Sequence, residues 1–187
     1  MNSASTLEFA LTGLLRQKPQ SGYDLRKTFA TTAMRHFSDS PGSIYPALRR
    51  LETRDWIAAE PQAGDDSSEN RRGRRVFSLT PAGKTVLVEW LERPVTRDDV
   101  IWRMPEVMLR FAFMDTNAPR STAIRFLSEF DQALGTYVAE LRIDLERMSS
   151  KMPINTGLLA FQSGIEGFEA QLSWARKARA RLAEEAR

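Results

Sequence analysis

Arginines and small hydroxyl residues gather in two stretches of this 187-residue chain. One is Ser40-Pro41-Gly42-Ser43-Ile44-Tyr45-Pro46-Ala47-Leu48-Arg49-Arg50, and the other is Arg71-Arg72-Gly73-Arg74-Arg75. Serine hydroxyls and guanidinium groups donate to phosphate oxygens, and an arginine fork also pairs bidentately with guanine. A helix beginning at Ser40-Pro41 presents free backbone N–H groups that favour an anion, and Gly42 lets a backbone approach closely. Arginines clustered around Gly73 suit adjacent phosphates or a narrow, negative groove. The plain alternative for that run is a solvated strand edge that discourages aggregation, with Asp65, Asp66 and Glu69 near enough to neutralise it.

Other chemistries are poorly supplied. The chain has no cysteine and one histidine, which excludes disulfide frameworks, thiolate nucleophiles and multi-histidine metal clusters. The acidic pairs Asp65-Asp66 and Asp98-Asp99 lie in polar stretches with no nucleophile motif, phosphate loop or metal spacing. No enzyme and no cofactor are expected. The N-terminus lacks the basic start and apolar core of a signal peptide, and no apolar run nears the ~20 residues that span a bilayer. A cytoplasmic protein without membrane contact is expected. The formal charge of +3 is unevenly placed. Residues 1–93 hold 14 basic and 11 acidic side chains, whereas residues 94–187 hold 13 of each.

The elements that must position these residues read as follows. Leu7, Ala10, Leu11, Leu14 and Leu15 recur at helical spacing from about Ser5 to Arg16. Ser21 caps a second helix with Tyr23, Leu25 and Phe29, and His36 near its end suits a C-terminal cap. Ser40-Pro41 opens a third helix to about Arg54, with Ile44, Leu48 and Leu51 inward. Its opposite face presents Ser43, Tyr45, Pro46, Arg49 and Arg50. Strands at 56–60 and 75–79 flank a long polar loop, and Thr80-Pro81 starts another helix. Three helices and a two-stranded hairpin are the order of a winged helix-turn-helix, whose third helix enters the major groove. Residues 93–99 read as a linker into an all-helical half. There Leu127, Leu134 and Leu141 recur at seven-residue spacing, and Ile165, Phe168 and Leu172 at alternating three and four. Two such helices joined by a short turn read as an antiparallel coiled-coil-like pair.

The segment Ser40–Glu52 resembles the recognition-helix signature of the PadR-like transcriptional regulators. Ser21-Gly22-Tyr23-Asp24-Leu25 is similar to their His-Gly-Tyr-Glu-Leu segment, and residues 74–83 to their Arg-Lys-x-Tyr-x-Leu-Thr-x-x-Gly segment, with Phe77 in place of tyrosine. The resemblance covers about residues 7–92. The C-terminal half is similar to the longer subgroup, which carries a three-helix dimerisation domain. The resemblance implies a DNA-binding domain over 1–93 and a helical dimerisation domain over 94–187. It also implies a homodimeric repressor on an inverted-repeat operator, released by a small, commonly aromatic ligand. Carried over by position, Tyr23, Ser40, Gly42, Ser43, Tyr45, Pro46, Arg49 and Arg50 lie at or near DNA, and Arg71, Arg72 and Arg74 are wing contacts.

Bland roles compete at several of these positions: Tyr23 can pack between helices and Tyr45 can be half core. Trp90, Trp102, Met104, Met108 and Phe111 concentrate aromatic and soft side chains, which suits an effector pocket or an ordinary core. The seams on Leu127, Leu134 and Leu141, and on Ile165, Phe168 and Leu172, are expected to bury against a second copy. An intrachain hairpin is the alternative. A winged-helix protein-interaction or scaffold module without operator specificity is the second functional reading.

Overall fold

The structure is a computed structural model, and it describes residues 4–32, 34, 40–61 and 75–184. The chain divides into two compact units, Met1–Leu91 and Glu92–Arg187. The first holds α1 (Thr6–Gln17), β1 (Gln20–Ser21), α2 (Gly22–Thr31), α3 (Pro41–Thr53), β2 (Ile57–Pro61), β3 (Arg75–Leu79) and α4 (Pro81–Glu92). The second holds α5 (Arg97–Trp102), α6 (Met104–Asn117), α7 (Arg120–Ser149) and α8 (Thr156–Glu184).

Hydroxyl caps start these helices where the sequence places them. Ser5 accepts from the Glu8 N–H while the Glu8 carboxylate accepts from the Ser5 N–H, and Ser21 and Asp24 repeat the arrangement. Ser40 accepts from the Gly42 N–H, with Pro41 in the first turn. The inward stripes meet in one core. Leu11 of α1, Leu25 and Phe29 of α2, and Ile44, Leu48 and Leu51 of α3 are all 1% exposed or less. Phe9 stacks on Trp90 with ring centres 4.6 Å apart, which fastens α4 to α1.

The sheet has three antiparallel strands in the order β1-β3-β2, one more than the expected hairpin. Gln20 and Ser21 pair with Phe77 and Val76, so the start of α2 is tied directly to the wing strand. The Gln20 side chain also donates to the Leu14 carbonyl at 3.1 Å. A two-residue strand shows no alternation, so period-2 patterning does not reveal it.

A tight turn links α3 to β2. Asp55 takes a positive φ of 58°, and the Trp56 N–H donates back to the Leu51 carbonyl at 2.9 Å. The Trp56 carbonyl accepts from the Thr80 N–H at 3.1 Å, and the Thr80 hydroxyl donates to the Asp55 carbonyl at 2.5 Å. Gly83 presses on the same point: a Cβ there would lie 2.0 Å from the Trp56 oxygen.

In the second unit, residues 97–102, partly read as linker, form α5. Thr96 and Asp99 cap it reciprocally, with the Asp99 carboxylate accepting from the Thr96 N–H at 2.9 Å. Helices α7 and α8 pair antiparallel within one chain. Leu127, Leu134, Ile165 and Leu172, expected to face a second copy, are buried in their own protomer at 6% exposure or less. The heptad pattern marks a buried seam, and the α7–α8 turn is short enough for the same chain to fill it. Leu141 and Phe168 are only half-buried. Salt bridges Arg176–Asp131 (2.8 Å) and Arg142–Glu169 hold the two helices in register. Among the described residues no helix is long and apolar enough to cross a membrane.

Gly83→Ala forces a side chain onto a main-chain carbonyl that is held from two sides. It is expected to destabilise the first unit by ~2 kcal/mol or more. A urea unfolding midpoint equal to that of the unsubstituted chain would show that the turn yields.

Candidate nucleic-acid interface

Helix α3 sorts its residues by face. Ile44, Ala47, Leu48 and Leu51 are buried, whereas Gly42, Ser43, Tyr45, Pro46, Arg49 and Arg50 are exposed. Pro46 removes the amide that would bond the Gly42 carbonyl, and both residues lie on the exposed side of the helix. No acidic residue occupies the first turn, so the positive end of the helix is unopposed by a side chain there.

Tyr45 stands 43% exposed and Tyr23 49%. Gly22 sets their spacing, because a Cβ at that position would lie 2.7 Å from Cε1 of the Tyr45 ring. Arg26 lies over the Tyr23 ring at 5.5 Å. Tyr23, Tyr45 and Arg49 line an open cleft of about 300 Å³ together with Glu52, Arg75 and Phe77. Arg75 closes it from the wing side: it pairs with Glu52 and covers the Phe77 ring at 5.4 Å. The structure therefore brings Tyr23, Tyr45 and Arg49 to one cleft and leaves Ser40, Gly42, Ser43 and Pro46 exposed. Arg71, Arg72 and Arg74 lie outside the described residues, as does His36.

Arg50 is committed elsewhere. Its Nε donates to Glu8 Oε1 at 2.6 Å, and Arg54 Nη1 reaches Glu8 Oε2 at 3.1 Å. Burial pushes the Glu8 carboxyl upward. The Arg50 hydrogen bond, the Ser5 N–H and the charges of Arg54 and Arg50 outweigh this and hold it below its ordinary value. Sequence reasoning missed this residue. Its partners lie 42 and 46 residues away, a separation that helical spacing does not reveal.

The residues that suit an effector pocket fall in both units. Trp90 is core of the first unit, stacked on Phe9. In the second unit Trp102 is 78% exposed and Met104 and Met108 are half-buried. Phe111 meets Phe126 and Trp174 with ring centres 5.9 and 5.5 Å away. Next to it Arg110 is fully buried beneath the Phe126 ring and donates to the Arg93 carbonyl. Desolvation and the Arg93 charge bring Arg110 down to about 10, against the opposing pull of Asp99, Glu106 and Glu129. Among the described residues no group of three or more His, Cys, Asp or Glu side chains is placed to hold a metal.

Three helices with an exposed Ser–Tyr–Arg face on the third, backed by a small antiparallel sheet, define a winged helix-turn-helix. Residues 11–89 match the transcriptional regulator PadR-like family. The chain thus carries a PadR-like domain over that stretch. It is 25% identical over 175 residues to the negative transcriptional regulator PadR of Bacillus subtilis (strain 168), spanning 90% of this chain and 92% of that one. Crystal structures of Bacillus subtilis PadR with operator DNA and with p-coumaric acid are each 22% identical and cover 96% of this chain and 99% of theirs. Their TM-scores are 0.46 and 0.43.

The folded chain holds two buried carboxyls, Glu8 and Asp99, below their ordinary values of 4.5 and 3.8. In both cases hydrogen bonds and arginine charges overcome desolvation. A depressed carboxyl stabilises the fold above its unfolded value, and that stability is lost as pH falls through the folded value. Urea midpoints should be flat from about pH 7 to about pH 5 and fall below about pH 4.5. Glu8→Gln should lower the neutral plateau and make the acid decline shallower; an unchanged acid slope would remove Glu8 from the account.

Proposed function

We propose that the protein is a homodimeric repressor that binds an inverted-repeat operator and is released by a small aromatic ligand. The observation that carries DNA binding is the exposed face of α3. Ser43, Tyr45 and Arg49 project beside a capped helix start with no acidic residue in its first turn. Ser40, Gly42 and the helix N-terminus suit a phosphate. Arg49 has the reach and the fork for a guanine edge, and Tyr23 and Pro46 flank the contact. Arg71, Arg72 and Arg74 serve as wing contacts to the backbone. The negative-regulator relative supports repression.

Pairing of two copies places their recognition helices one DNA turn, about 34 Å, or a multiple apart. Because the α7–α8 seam is filled within the chain, pairing draws on faces left open. Ile143, Met152, Ile154 and Leu159 are exposed at one end of that helical hairpin. The effector reading rests on Met104, Met108 and Phe111 of α6, which bring apolar and aromatic surface beside the buried Arg110 cation.

The test is a titration of duplexes taken from the DNA flanking the protein's own gene, set against mixed-sequence DNA at fixed salt. A preferred duplex should contain an inverted repeat and bind at least about 10³-fold more tightly. If no sequence is preferred, the interaction-module reading replaces this one. Arg49→Ala should cost ~1–3 kcal/mol on the preferred duplex and relax base discrimination. Unchanged affinity would take Arg49 off the list of base contacts. Removing Arg71, Arg72 and Arg74 together should weaken binding to all sequences and flatten the salt dependence. A wing that is no phosphate clamp would leave the slope as it was.

A further inference from the structure

Glu8 belongs to α1, yet its carboxylate serves α3. One oxygen accepts from Arg50 and the other from Arg54 and from the Ser5 N–H at 2.9 Å. The Glu8 side chain is 2% exposed, whereas half of the Arg50 side chain, 52%, remains in solvent. Arg49, the preceding residue, is exposed and forms no ion pair among the described residues. Two adjacent arginines of one helix are thus treated differently: one is open and one is tethered.

We infer that Glu8 is a positioning residue, which by holding Arg50 against α1 withholds one cation of the α3 face from the phosphate backbone. The inference rests on the DNA-binding reading above. Affinity for DNA of any sequence grows with the number of cations delivered to phosphates, whereas discrimination comes from base edges. An extra cation on this face would strengthen every site alike and steepen the salt dependence without telling one sequence from another. Arg50 lies four residues from Pro46, on the same flank of α3, so a released side chain would stand beside the contact surface.

Drawing Arg50 away costs the buried Glu8 carboxylate one of its two arginine partners and leaves Oε1 without its 2.6 Å bond. Arg54 does not replace it. Its guanidinium already bonds the other Glu8 oxygen and lies over the Trp56 ring at 5.3 Å.

The full-length chain and its Glu8→Gln, Arg50→Gln and doubly substituted forms would be titrated with a mixed-sequence duplex of about 30 base pairs across a salt series. Glu8→Gln should bind more tightly, and its loss of affinity between about 50 and about 200 mM salt should deepen by about threefold, the increment of one added phosphate contact. Arg50→Gln alone should match the unsubstituted chain, and the double form should lose the gain. A merely structural Glu8 would lower affinity on substitution and would not steepen the slope, which overturns the inference. So does an Arg50→Gln chain that binds more weakly with a flatter slope, because Arg50 would then already sit on a phosphate. That second arm decides the matter should Glu8→Gln fail to fold. An unsubstituted chain that binds no duplex defeats the DNA-binding reading and this inference together. Binding by the unsubstituted chain with no gain in Glu8→Gln defeats this inference alone.

Discussion

The first unit hangs on one peptide, the carbonyl of Trp56. Upstream, the Trp56 N–H closes the end of α3 on Leu51, and Asp55 turns the chain with a positive φ. Asp is among the few residues with a side chain that enter that region without large strain. Downstream, the carbonyl receives the Thr80 N–H, and Thr80 in turn accepts from the Gly83 N–H at 3.0 Å. The end of α3, the start of β2 and the start of α4 are therefore fixed at one place. The exposed face of α3 is thus set by this hydrogen-bond cluster and not by its own side chains.

Much of this architecture was legible in the residues. The Ser5, Ser21 and Ser40 caps mark helix starts, and the stripe of Ile44, Leu48 and Leu51 decides which face of α3 is exposed. The strand pair follows from apolar residues bounded by turn-formers. What escaped was either too short or too distant. Gln20–Ser21 pairs as a strand through two residues, which carry no period. Thr96-x-x-Asp99 is a capping box, but its paired acids suggested a polar connection in place of α5. A heptad repeat shows that a face is covered and does not say by which chain. Leu127, Leu134, Ile165 and Leu172 turned out to be covered by their own. Arg49 and Arg50 look equivalent in sequence, and only the fold brings Glu8 to one of them.

The second unit is organised around a buried cation. Arg110 sits under Phe126 and beside the Arg93 backbone, with Asp99, Glu106 and Glu129 supplying the opposing charge. Arg93 reaches both Asp99 at 3.1 Å and Glu106 at 3.3 Å, so the chain entering this unit is bound to α5 and α6 together. Val95 donates its N–H to Glu129 of α7 at 3.0 Å and extends the same tie. Polar contacts of this kind specify an arrangement more sharply than apolar packing does, because a displaced partner leaves a dehydrated charge.

Glu8 and Asp99 share a design in which one carboxylate closes the first turn of its helix and also anchors arginines from elsewhere. An ordinary helix N-terminus frays on its own, since its first amides answer only to a local cap. Here the local cap and the anchor for the arginines are one and the same carboxylate. The first turns of α1 and α5 can open only by releasing Arg50 and Arg54, or Arg93 and Arg103. Their amides should therefore exchange with solvent at the pace of the surrounding core, and helix starts become part of each unit's cooperative unfolding and not its loose edge.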